Sequence, residues 1–221
     1  GERALEEFEA TWPRARTAII PHGDERIFSG DAPLPASEER VLFFGDWRKV
    51  KGLPVLMEAF DLLAARRPSV RLTIAGMPAP ADLDPEPVRA WAAEHQDRVE
   101  VIDRYVPVED VSDVFARARV VVTPYHVGYQ SGVIHLAMTM GRAVVASDVG
   151  DFANAVADGE TGFLVPPGDA QAVSDALERA LADPDLSNSL GAAARERVMS
   201  HSSWENVAEK VETALRPLAA T

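Results

Sequence analysis

Residues 119–150 read RVVVTPYHVGYQSGVIHLAMTMGRAVVASDVG. Two runs in it, RVVVTP and AVVAS, are too short for helices and apolar on both alternating faces, the pattern of strands buried within a parallel sheet. Between them, 131–140 repeats its apolar positions at helical spacing, so the stretch reads as strand, helix, strand. Parallel strands joined by a helix fix the fold class as α/β. The loop ahead of the helix, GYQSG, is richer in polar chemistry than a two- to six-residue connection requires. One explanation is that its backbone N–H groups are left free to hold a phosphate; the plainer one is a capped helix start.

The same alternation extends outward in both directions. RVLFFG (40–45) is a strand, and LPVLMEAFDLLAARR (53–67) a helix with Leu53, Leu56, Phe60 and Leu63 on one face. VRLTIAG, a helix at 88–95, VEVI and a helix at 108–118 lead into the opening strand. A short helix at 152–157 and the strand GFLVP follow it, then helices at 170–182, 186–199 and 204–215. Ahead of the series, 1–12 reads as a helix carrying Ala4, Leu5, Phe8 and Trp12. TAII (17–20) reads as a short strand, and 24–39 as a polar, Pro-rich connection. Right-handed crossovers through such a series give a doubly wound, Rossmann-like sheet with helices on both faces and the strand order 3-2-1-4-5-6. Ligands bind such sheets beyond the carboxyl ends of the strands, where the order reverses.

Composition narrows the function classes. The 221 residues carry a formal net charge of −13, which repels nucleic acid and anionic lipid. Without cysteine there are no disulfides, thiolate metal sites or cysteine nucleophiles, in keeping with a reducing, cytoplasmic setting. No run approaches the roughly 18 apolar residues of a membrane span, so no transmembrane segment is expected. The five histidines lack metal-ligand spacing, and no carboxylate pair recurs at i, i+4 on a loop-side face. No metal or other cofactor is expected.

Against this acidic background, GDWRKVKG (45–52) gathers Arg48, Lys49 and Lys51 around a single Asp46. It follows the first strand of the sheet, whose neighbour at the switch point is the strand that opens residues 119–150. Three cations thus stand beside the N-terminus of the helix at 131–140, where unpaired N–H groups and the positive dipole end favour an anion. Ser131 caps that helix or donates its hydroxyl, and Gly132 lets an oxygen approach the backbone. A solvated turn is the alternative reading of the basic run.

The segments VLFFGDWRKVKGLPVLMEAF, VRLTIAG, ARVVVTPY, QSGVIHLAMTMGRAVVASDVG and DGETGFLVPPGDAQAVSDAL together resemble the C-terminal half of a GT-B glycosyltransferase of the retaining family 4 type. The likeness runs from about Ile19 to Leu215. It implies a donor domain at 39–221, which binds a nucleotide-diphosphate sugar and transfers the sugar with the help of a separate N-terminal acceptor domain. The helix, strand and linker at 1–38 would belong to the junction with that domain. By resemblance, Arg48 and Lys51 neutralise the diphosphate, with Ser131, Gly132 and Val133 donating backbone hydrogen bonds. Gly76, Arg104, Tyr105, Val106 and Leu136 lie around the base and ribose, and Gly128, Tyr129 and Gln130 face the sugar; no catalytic side chain falls in this half.

The chain also departs from the pattern. Two glutamates that many members carry, one on the sugar and one on the ribose, correspond to Gly128 and Leu136 here. The position after Gly45, often arginine, is Asp46, with Arg48 as its substitute. Helical periodicity, moreover, puts Leu136 on the core face beside Val133, Ala137 and Met140. A degenerate, non-catalytic nucleotide-binding or interaction module is therefore the alternative to an enzyme domain.

Overall fold

The structure is a computed structural model and describes residues 1–29 and 39–219. Six parallel strands make one sheet: β1 (Arg40–Phe44), β2 (Arg71–Ala75), β3 (Val99–Ile102), β4 (Val120–Thr123), β5 (Ala143–Ser147) and β6 (Gly162–Val165). Their spatial order is β3-β2-β1-β4-β5-β6, the reversal falling between β1 and β4, as expected from the alternation. All four residues of β4 and all five of β5 are buried, because both faces of each are covered.

Helices fill the crossovers: α3 (Leu53–Arg66), α4 (Glu86–Glu94), α5 (Val108–Ala116), α6 (Gly132–Thr139) and α7 (Phe152–Ala155). The chain ends in α8 (Ala170–Ala182), α9 (Pro184–His201) and α10 (Trp204–Ala219), and begins with α1 (Glu2–Thr11) and the single turn α2 (Arg26–Ser29). In α3 the buried set is Leu53, Leu56, Ala59, Phe60 and Leu63, one face at i, i+3, i+4 and i+7 spacing. Burying each large apolar side chain of this kind contributes about 1.5–3 kcal/mol. Helix α8 packs against α3, where Arg66 pairs with Asp175 at 2.9 Å and with Glu178 at 2.8 Å. Helix α9 closes over α6 and β5.

One expectation at the N-terminal end fails. TAII is not a strand: the sheet ends at β3 and β6, neither edge pairs with residues 17–20, and Ile19 and Ile20 are exposed. Without a partner row its backbone has nothing to extend along. Helix α1 forms as expected, but none of its residues is buried, and Phe8 and Trp12 meet at the surface with ring centroids 4.7 Å apart and planes tilted by 40°. Of the Pro-rich connection expected at 24–39, residues 30–38 lie outside the described residues.

Candidate functional site

The loops after β1 and β4 meet, and Lys51 lies at the join. On one side of it, the His126 N–H donates to the Val50 carbonyl at 2.9 Å. On the other, the backbone of Gly52 presses on the Pro124 carbonyl so closely that a β-carbon there would stand 1.9 Å from the oxygen. Gly52 sits at φ +69°, a left-handed backbone that glycine adopts at little cost. Between these contacts the Lys51 ammonium lies 4.1 Å from the centroid of the Tyr125 ring.

The remaining parts of the site follow from the strand ends. The turn Lys49–Lys51 is one 3₁₀ turn leading into α3. A β-carbon added at Gly45, at the exit of β1, would lie 3.8 Å from the side chain of Val133 in the first turn of α6. Ser131 is the N-cap of α6, its hydroxyl oxygen accepting from the Ile134 N–H at 3.3 Å. Gly132 is exposed, and among the described residues neither its N–H nor that of Val133 has a hydrogen-bond acceptor. A basic side chain on the loop after β1 and two acceptor-free amides at the head of α6 thus both lie beyond the carboxyl ends of β1 and β4.

Electrostatics favours an anion there. Lys51 is half-buried, and burial holds its ammonium below the ordinary lysine range, with Asp46 partly opposing and Arg48 adding to the shift. No ion pair of Lys51 occurs among the described residues, so an incoming anion recovers solvation that burial removed. Arg48 differs: it is exposed, and its Nε donates to Asp46 at 2.5 Å. Lys49 is exposed too, its N–H donating to Asp82. The basic run thus divides into one half-buried cation and two surface residues, the latter as the solvated-turn reading has them.

The residues expected to face the sugar cluster where the loops after β4 and β5 touch. The Asp151 N–H donates to the Tyr129 carbonyl at 3.0 Å, and the backbone of Gly150 packs on the Gly128 carbonyl. At Gly128 a β-carbon would approach the Phe152 ring to 3.0 Å. Tyr129 is exposed, its hydroxyl donating to Glu7 at 2.7 Å. Gln130 and Ser131 border a cavity of about 420 Å³ that also reaches His22, His135 and Asp151.

Around the far strand ends the picture is mixed. Gly76 sits at the end of β2, its N–H donating to Ile102 and its backbone against the Gly45 carbonyl. Arg104 and Tyr105 are exposed beyond β3. Val106, expected near the base through its backbone, and Leu136, aimed at the ribose by the resemblance, are both buried in the hydrophobic core. For Leu136 the helical periodicity is right and a ribose-facing side chain is wrong, because α6 buries that face.

Three residues of the region carry little signal in the sequence. Trp47 is fully buried although it sits in the charged run GDWRK; its N–H donates to Met77 and its carbonyl accepts from Ala79, tying the loops after β1 and β2. His22 and His135 stack with ring centroids 4.9 Å apart, His22 beside Gly132. Burial, and secondarily His22, push His135 down to about 4, so its ring is neutral at physiological pH.

Comparison with known proteins agrees with this fold. Residues 38–183 match the family model of the group 1 glycosyl transferases. A phosphatidyl-myo-inositol mannosyltransferase of Mycolicibacterium smegmatis is 33% identical over 200 residues, covering 87% of this chain and 50% of that protein. The sucrose-phosphate synthase of Thermosynechococcus elongatus superposes with a TM-score of 0.80 at 30% identity, over 98% of this chain and 56% of that one. Anabaena HepE, solved in complex with UDP-glucose, gives a TM-score of 0.70 at 20% identity, over 84% of this chain and 50% of that one. The chain thus spans about half the length of the curated relative it matches.

Proposed function

The chain belongs to the group 1 glycosyl transferases, and from that premise we propose that it is the donor-binding half of a retaining enzyme that uses a nucleotide-diphosphate sugar. Two observations carry the reading: the half-buried Lys51 at the join of the loops after β1 and β4, and the acceptor-free amides of Gly132 and Val133 at the head of α6, which follows the second of those loops. A diphosphate brings at least two negative charges, which one cation and two aligned N–H donors suit. Ser131 holds the end of α6 in place through its capping bond. Arg48 contributes by exchanging Asp46 for a phosphate oxygen. As the sugar–phosphate bond breaks, negative charge grows on the departing nucleoside diphosphate, and these groups stabilise it where it develops. The reading gives charge neutralisation to Lys51, Arg48 and the amides, without calling on a metal ion.

The backbone at Gly76, Arg104 and Tyr105 would border the base, and Gly128, Tyr129 and Gln130 the sugar. Residues 39–221 would form the donor domain, and 1–38 the junction with an N-terminal acceptor domain. HepE, of similar fold, binds UDP-glucose, which supports a nucleotide-sugar donor for this chain as well. Calorimetric titration with UDP, GDP and ADP tests the reading and reports the base preference. Micromolar to low-millimolar binding of at least one, undiminished by EDTA, is expected; no binding at millimolar nucleotide refutes it.

A second reading is a nucleotide-binding module that transfers no sugar. It is favoured by Gly128, which offers no carboxylate and packs under Phe152. Sugar transfer by a longer protein containing the acceptor domain decides between them.

A further inference from the structure

We propose that Tyr125 is a positioning residue, its ring holding the Lys51 ammonium at the spot where the diphosphate is read. The inference rests on the donor-binding reading and adds to it a residue that nothing in the family pattern assigns. Three observations meet in it. The Lys51 ammonium is 4.1 Å from the Tyr125 centroid, within the range of a cation–π contact. The ring itself is fixed: Tyr125 is 2% exposed and braced by the edge of Phe152 at 5.7 Å and 66°. The backbones on either side of the pair are locked together, residue 50 to residue 126 by a hydrogen bond and residue 52 to residue 124 by close packing.

A lysine has four side-chain torsions to restrict before it meets a ligand, and that ordering weakens each contact it makes. A buried aromatic face under the ammonium restricts them in advance without neutralising the charge, as a carboxylate would. The ring's hydroxyl is not part of this. It is buried next to Ser131 with no hydrogen-bond partner in good geometry among the described residues. The positioning role therefore belongs to the π face, and phenylalanine should replace it where leucine should not.

The experiment compares UDP with uridine, so that the diphosphate share of binding is read separately, in wild type, Tyr125→Phe, Tyr125→Leu, Lys51→Met and the Lys51→Met/Tyr125→Leu pair. NMR of each free protein follows the Lys51 ε-methylene protons, which a ring beneath them shifts upfield. The expected result is an upfield shift in wild type and Tyr125→Phe that Tyr125→Leu loses. UDP should bind Tyr125→Leu roughly 2- to 30-fold more weakly, uridine unchanged, with no further loss when the leucine is added to Lys51→Met. Equal losses of UDP and uridine, equal losses in the phenylalanine and leucine variants, or the full leucine effect in the Lys51→Met background would each overturn the proposal. Failure of wild type to bind UDP while the shift is present overturns the donor-binding reading, and the role of Tyr125 with it. Absence of the shift in wild type overturns the positioning geometry alone.

Discussion

Replacing Gly52 with alanine probes the join between the loops after β1 and β4. Two costs arise, and a second glycine separates them. At φ +69° an alanine pays about 1–2 kcal/mol for the left-handed backbone, offset by about 0.5–1 kcal/mol through a less flexible unfolded chain. Gly159, at φ +76° with nothing within 4 Å of an added β-carbon, carries that cost alone. Gly159→Ala should therefore cost about 1 kcal/mol. At Gly52 the new methyl also meets the Pro124 carbonyl oxygen at 1.9 Å, and one loop must move by about 1.5 Å to restore ordinary contact. That movement breaks the His126–Val50 hydrogen bond, worth about 1 kcal/mol, and displaces Lys51 from Tyr125, where burial already disfavours its charge. Gly52→Ala should thus cost about 2 kcal/mol in urea unfolding and weaken UDP at least roughly tenfold, while Gly159→Ala leaves UDP affinity unchanged. Equal stabilities of the two variants, with nucleotide affinity intact in both, would refute the idea that these loops are packed together to make the site.

Other predictions concern single groups. Lys51→Met should lose about 1.5–3 kcal/mol of UDP binding and yet unfold no more easily than wild type, because burial disfavours the charge it removes. Since that pKa is depressed in the folded state, wild-type stability rises with pH through the window below the ordinary lysine range as UDP affinity falls, which titrations across that window would show. His135, held near 4 when folded against 6.5 unfolded, contributes stability that is fully present above about 6.5 and lost as pH falls toward 4, about 3 kcal/mol at most. His135→Gln should flatten that part of the pH–stability curve; an unchanged curve would show that the ring is solvated. Tyr125→Phe removes a hydroxyl with no partner and should leave thermal stability equal to wild type or higher by up to about 1 kcal/mol.

Much of the sheet is legible in the sequence because β4 and β5 are buried on both faces and read as unbroken apolar runs. Their alternation with helices then fixes the order of all six strands. TAII misleads for the same reason that the others inform: local apolarity carries no information about whether a partner strand exists. Leu136 shows periodicity prevailing over alignment, since the helix buries its i, i+4 face whatever that position does in relatives. At the site, residue types are legible and contacts are not. Nothing local says that Arg48 folds back on Asp46, that Trp47 goes inside among charges, or that Lys51 and Tyr125 meet from two distant loops. Those depend on the register of β1 against β4, which only the assembled sheet sets.

Whether the diphosphate sits at the head of α6 is read from the backbone amide resonances of Gly132 and Val133 while UDP is added to the chain. Both should move downfield, along with the Lys51 ε-methylene signals, on one binding curve shared by all three residues. UDP binding that leaves those two amides in place would put the diphosphate elsewhere and contradict that placement.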